Sequence, residues 1–255
     1  MKKFVLGTLF IFSAAFGNAA FYNNFSFSEM KQFLSQFITQ DDLVFDVGAN
    51  VGKKTELYVA LGAQVVCFEP QAECVHILKK KFKKFSSVKI EPIGLGDIKG
   101  SLLLFECPGA NTLATFSVDY THEGRFAQRN CKWQESHEIA IETLDAMIAK
   151  YGKPKFCKID VENFEYQVLL GLSQPIEYLS FECNTECMAN TIKCIEHLTN
   201  LGYTQFNFAI GERGWFAFQQ WVDGQELIQK INDLSTLQDW SEIWGLWGDI
   251  YARYK

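Results

Sequence analysis

Apolar residues recur along this chain in two alternating rhythms. Short apolar runs, Leu43-Val44-Phe45-Asp46-Val47, Gln64-Val65-Val66-Cys67-Phe68, Val88-Lys89-Ile90, Lys155 to Ile159 and 177–183, predict strands. Segments with helical spacing lie between and after them, at 53–61, 71–84, 143–150, 164–172 and 189–201, the last stopped by Gly202. In 71–84, Val75, Leu78, Phe82 and Phe85 share one face, and Lys79, Lys80, Lys81, Lys83 and Lys84 form its solvated side. Residues 101–106 read as an added strand and 107–137 as a long polar loop or cap; 203–209 and 214–219 read as strands able to pair as a hairpin. No repeat of 20–50 residues is visible. The alternation predicts an α/β fold: a mostly parallel, doubly wound sheet covered on both faces, with an antiparallel strand near the C-terminus. Such sheets bind ligands beyond the carboxyl ends of their strands, so the residues following each strand carry the functional information.

After the first strand comes Asp46-Val47-Gly48-Ala49-Asn50-Val51-Gly52. Two glycines permit a tight turn, and the helix that follows offers free N–H groups to an anionic group. A nicotinamide site prefers G-x-G-x-x-G, and Asn50 stands where its second glycine would be, which disfavours a pyrophosphate. Glu69 follows the second strand, 21 residues beyond Gly48, a distance at which an acid accepts both hydroxyls of a ribose. A ribose acid without a pyrophosphate cradle fits S-adenosylmethionine, with Asp46 placed to hold the ammonium of its amino-acid tail. Asp97, in Gly94-Leu95-Gly96-Asp97, is either an acceptor for the adenine amino group or a turn residue. After the fourth strand come Asp160, Glu162 and Glu165. Asp160 would face the cleft near the transferred methyl group, while Glu162 and Glu165 are open to a helix-capping reading. Glu182, at the end of the fifth strand, needs a donor or the cleft.

Together these segments resemble the FkbM family of S-adenosylmethionine-dependent methyltransferases. The resemblance rests on VFDVGANVG (44–52), VVCFEPQ (65–71), GLGDIKG (94–100), ETLDAMI (142–148), KIDVENFEYQVLLGL (158–172) and LGYTQF (201–206). It implies a Rossmann-like class I methyltransferase fold and O-methylation of a hydroxyl on a sugar or small metabolite. It also implies cofactor contacts from Asp46, Gly48, Ala49, Asn50, Gly52 and Glu69, and signature acids at Asp160 and Glu162. Asn163 departs from the glycine usual in the family, but Asn tolerates a left-handed turn. Asp160 is the expected base or acceptor-hydroxyl ligand, with Glu162 second and His122 and His137 as alternatives at a suitable intrinsic pKa. No His-rich ligand set appears, and no metal is assigned.

Composition changes this picture at a few points. The net charge of −6 gives no basic footprint, so a nucleic-acid partner is not expected. Phe is unusually common at 23 of 255 residues, enough to fill a large core or an apolar pocket. Lys2 and Lys3, an uncharged run from Phe4 to Phe16 and small residues at 17–20 resemble a secretory signal, or an uncleaved anchor able to associate with a membrane through residues 4–16. The other reading is a buried N-terminal helix of a cytoplasmic protein. Export would separate the enzyme from its methyl donor and favours the alternative of a non-catalytic exported ligand-binding module on the same fold. Of eight Cys, most read as free core thiols; Cys107 with Cys131, or Cys187 with Cys194, are the pairs to test as bridges. The expected organisation is a signal or anchor at 1–20, a methyltransferase domain at 21–220 and a helical tail at 221–255. Trp240, Trp244 and Trp247 would share one face of that tail.

Overall fold

A computed structural model describes residues 26–122, 131–237 and 246–255. The signal-like segment, Trp240 and Trp244 lie outside them. Strands β1 (Leu43–Val47), β2 (Gln64–Phe68), β3 (Val88–Glu91), β7 (Phe156–Ile159), β8 (Tyr178–Asn184), β9 (Gln205–Ile210) and β10 (Trp247–Arg253) form one sheet. Its order is β3-β2-β1-β7-β8-β10-β9, parallel throughout except for β10, which runs antiparallel to both β8 and β9. A second sheet, in the order β4-β6-β5, joins β4 (Gly94–Leu95), β5 (Gly100–Glu106) and β6 (Gln134–Glu142).

Helices α1 (Phe27–Leu34), α2 (Lys53–Ala60) and α3 (Ala72–Lys81) pack on one face of the large sheet. Helices α5 (Leu144–Tyr151), α6 (Glu165–Leu170), α7 (Met188–Asn200) and α8 (Gly224–Leu237) cover the other; the short α4 (Val118–His122) belongs to the insertion between β5 and β6. Pleating sends successive side chains to opposite faces. Phe45, Val47, Cys157, Ile159, Leu179, Phe181 and Ile250 therefore join one core, while Val44, Val65, Phe156 and Tyr251 join the other. The second core is rich in rings: Phe37 stacks on Tyr251 at 5.2 Å, and Phe33 meets Phe216 edge-on at 5.0 Å. Ser26 and Glu29 close a capping box at the start of α1, a helix absent from the sequence expectations.

Three expectations change. Residues 214–219 form no strand; β9 pairs with β10 instead. The tail is not wholly helical, because Trp247 begins β10, whose Gly-Asp-Ile-Tyr-Ala-Arg stretch alternates between the two cores. The segment 107–137 is more ordered than a loop: it holds a turn of 3-10 helix at Asn111–Leu113, the helix α4 and the start of β6. Cys107 and Cys131 are disulfide-bonded, with Cα atoms 6.1 Å apart, whereas Cys187 and Cys194 are free, as are the remaining four. Among the described residues no helix is long and apolar enough to cross a membrane.

Candidate active site

A cavity of about 500 Å³ opens at the carboxyl ends of β1, β2, β7 and β8, within the size range of cofactor clefts. The glycine loop forms one wall. Gly48 has φ 80°, and a Cβ there would stand 1.8 Å from the Asp160 carbonyl oxygen, so only glycine lets this turn pass beneath β7. The loop feeds directly into α2, whose N-terminus faces the cavity through Val51 and Lys53.

Glu69 closes the end of β2. One carboxylate oxygen accepts from the Asn50 backbone N–H at 2.7 Å and the other from the Gln71 N–H at 2.8 Å. Burial pushes this carboxyl up to about 7 despite those hydrogen bonds. The backbone carbonyl of Asn111, from the insertion, accepts from Asn50 Nδ2 at 3.0 Å and from Gln71 Nε2 at 2.8 Å, so the insertion is tied to both sides of this corner. Asp46 is buried and accepts from Thr55 Oγ1 at 2.5 Å; burial raises its carboxyl to about 6.

The other end of the cavity is carboxylate-rich. Asp160, Glu162 and Glu182 each offer an oxygen within 4.8 Å of the others, the one such cluster of potential cation ligands among the described residues. Glu162 and Asn163 both take left-handed backbone, φ 54° and 68°, which turns the chain sharply out of β7. The turn is held from the insertion: Thr115 Oγ1 donates to the Glu162 carbonyl at 2.6 Å, and Tyr120 Oη donates to the Glu162 carboxylate at 2.5 Å. Burial, reinforced by Glu162 and Asp160, raises the Glu182 carboxyl well above the ordinary range. Glu165 is buried and accepts from the Val161 N–H at 3.1 Å and from Asn190 Nδ2 at 3.1 Å, outside the cavity lining.

Lys158, which the sequence reading passed over, lies beneath these acids. Its ammonium stands 2.8 Å from Asp249 on β10 and 3.2 Å from Asp160. Burial alone would pull this amine down, and Asp160 and Asp249 instead push it well above the usual lysine range. A lysine inside the otherwise apolar Phe-Cys-Lys-Ile strand was the available signal. Trp247, Lys54 and Arg213 complete the wall near β9 and β10, where Lys54 pairs with Glu212 at 3.2 Å.

The cavity thus gathers Asp46, Gly48, Ala49, Asn50, Glu69, Asp160 and Glu162, while Gly52 lies just behind its wall as the N-cap of α2. Asp97 does not belong to it. It is exposed in the turn before β5, where its own carboxylate accepts from the Ile98 N–H, the arrangement of a turn residue. His122 and His137 are also exposed and away from the lining.

S-adenosylmethionine fits this donor set. A carboxylate with both oxygens anchored by backbone N–H groups suits a ribose diol, and a second acid, Asp46, stands beside the glycine turn. The sequence matches the methyltransferase FkbM domain family over residues 46–235. No curated protein gives a sequence match. Among solved structures the chain is similar to a precorrin-6y C5,15-methyltransferase from Geobacter metallireducens, at 11% identity, TM-score 0.45, and coverage of 88% of this chain and 86% of that one. It is also similar to an rRNA methylase from Streptococcus thermophilus, at 9% identity, TM-score 0.42, and coverage of 88% and 92%. A protein from Streptococcus mutans solved with S-adenosylhomocysteine (SAH) aligns at 11% identity, TM-score 0.39, and coverage of 88% and 94%. With the family matched across most of the sheet and the whole glycine-loop corner, the chain belongs to the FkbM family of methyltransferases, and its cofactor is S-adenosylmethionine.

Proposed function

We propose that this protein is an O-methyltransferase acting on a hydroxyl of a sugar or small metabolite. The observation that carries the reading is Asp160, half open to the cavity and held from below by the Lys158 ammonium at 3.2 Å. Bound in the cavity, S-adenosylmethionine supplies an electrophilic methyl group. Glu69 takes the ribose hydroxyls and Asp46 the tail ammonium. Asp160 accepts the proton that an acceptor hydroxyl releases as its oxygen takes the methyl group, and Glu162, anchored by Tyr120, holds a neighbouring hydroxyl. Three carboxylates and the Trp247 ring in one wall suit a polyhydroxylated acceptor, with polar edges for the acids and an apolar face for the indole.

The test is transfer of labelled methyl from S-adenosylmethionine to a panel of sugars, amino sugars and phenols, with NADH as a binding control. Asp160→Asn is expected to bind SAH as the parent does and to lose about 10²–10⁴-fold in transfer, the range of a general base. Transfer near the parental rate would remove Asp160 from the mechanism.

A further inference from the structure

The last strand of the sheet supplies a polar group that reaches the cavity only through another residue. Asp249 on β10 lies outside the segment matched to the family and outside the cavity lining, and is largely buried. Its Oδ1 stands 2.8 Å from Lys158 Nζ. The same Nζ reaches Asp160 Oδ2 at 3.2 Å and donates to the Ile159 carbonyl at 3.3 Å. In spatial order the side chains of Asp249, Lys158 and Asp160 are 13%, 3% and 36% exposed, so a buried ammonium sits between a largely buried acid and the acid that lines the cavity.

Folding alone gives little reason for such a pair. Burying two charges costs several kcal/mol in desolvation, and apolar residues of similar volume often serve stability as well or better. The sheet face behind the row, with Phe45, Cys157 and Ile250, is filled by apolar residues. What a buried ammonium does provide is a fixed cation at one end of Asp160. A second carboxylate behind it keeps that cation from collapsing onto Asp160 alone and leaves the row with one net negative charge.

We propose that Asp249 is a positioning residue for methyl transfer: through Lys158 it sets the place and the net charge of Asp160 at the wall that faces the sulfonium. This rests on the reading of Asp160 given above. The consequence is selective. S-adenosylmethionine carries a positive sulfonium and SAH does not, so the row affects the first ligand and spares the second.

The experiment is calorimetric titration of both ligands into the full-length protein and into Asp249→Asn. Neutralising Asp249 takes the row from a net charge of −1 to zero. The expected result is about tenfold weaker binding of S-adenosylmethionine, the scale for loss of one unit charge across a partly buried site, with SAH within about twofold of the parent. Should Asp249→Asn fail to fold, Asp249→Glu and Asp249→Gln, equal in size to each other, carry the same comparison, with Gln weaker for S-adenosylmethionine alone. Equal weakening of both ligands, or no change in either, overturns the proposal and leaves the Asp160 reading intact. A parent protein that binds neither ligand overturns both.

Discussion

The two faces of the central strands were made by the same backbone and do opposite work. On the face toward α5, α6 and α7, the strands present Phe45, Val47, Cys157, Ile159, Leu179, Phe181 and Cys183, all buried and all apolar. On the face toward α1 and α2, the alternate positions of the same strands begin apolar, with Val44, Phe156 and Tyr178, and turn polar toward the cleft at Asp46, Lys158, Ser180 and Glu182, with Asp249 joining from β10. Asp46 pairs in register with Lys158, Lys158 with Ser180, and Glu182 with Asp249, so the polar residues form a continuous patch across four strands. Both faces bury apolar area, which stabilises in proportion to the area removed from water, but only the second sets a polar patch among it. The polar patch is held by the apolar packing around it, and burial there raises the carboxyls of Asp46 and Glu182. The first face is therefore expected to be sensitive to lost volume, and the polar patch of the second to altered charge.

That contrast breaks first at Phe181. Phe181→Ala on the apolar face is expected to cost about 3–5 kcal/mol in chemical denaturation, while the folded fraction binds SAH as the parent does. A loss of affinity in the folded fraction would mean that the two faces are coupled. Glu69→Gln, at the polar end, should behave in the opposite way. Two charge-assisted hydrogen bonds to a ribose are lost, and SAH affinity drops about 100-fold by calorimetry. Stability at pH 8 shifts by two opposed effects: Gln can accept from only one of the two backbone N–H groups, which costs about 1–3 kcal/mol, and it removes a carboxyl that titrates at about 7 in the folded chain and at about 4.3 when unfolded. The folded state therefore loses stability as pH rises through that window, and Gln removes the loss.

The same titration predicts a smaller effect without mutation. The ionised carboxylate is the form that accepts both ribose hydroxyls, so SAH should bind about tenfold more weakly at pH 6 than at pH 8. A flat profile would detach Glu69 from the ribose. The smallest expected change is at Asp97, which stands exposed in its turn. Asp97→Ala should shift SAH affinity by less than about twofold, and a larger shift in the same titration would restore the adenine contact.

Much of the apolar face was legible in the sequence, because a parallel strand buried on both faces reads as a continuous apolar run and its helices carry their own spacing. The glycine loop, Glu69 and Asp160 were legible for a related reason: they follow strands directly, and the sheet places strand ends at the cleft. What escaped detection depends on contacts made across long sequence distances. Lys158 stood out by composition, but its meaning came from Asp249, 91 residues away. Asp249 was hidden because the spacing of Trp240, Trp244 and Trp247 suggests a helix, while the pairing of β10 with two strands imposes a period of two. Asn111 acts through its backbone carbonyl, which no side-chain pattern reports. Asp97 stayed open between two readings because an acid after a glycine turn looks the same from sequence whether it faces a ligand or caps its own loop.

The position of β10 also governs the order in which the two ends of the cavity can be assembled. The last strand in sequence is not the last in space: it fills the slot between β8 and β9. Until it arrives, both neighbours present unpaired edges, the form in which strands are most prone to join the wrong partner. The nascent chain can assemble β1, β2, β3, β7 and β8, with the glycine loop and Glu69, while its end is still being made, since folding proceeds from the N-terminal side. Trp247 and Asp249 enter only with β10, which follows the other described strands in the chain. A chain that lacks β10 would hold the Glu69 corner without the Trp247 and Asp249 side of the cavity, so the two ends of the site depend on strands made far apart in time.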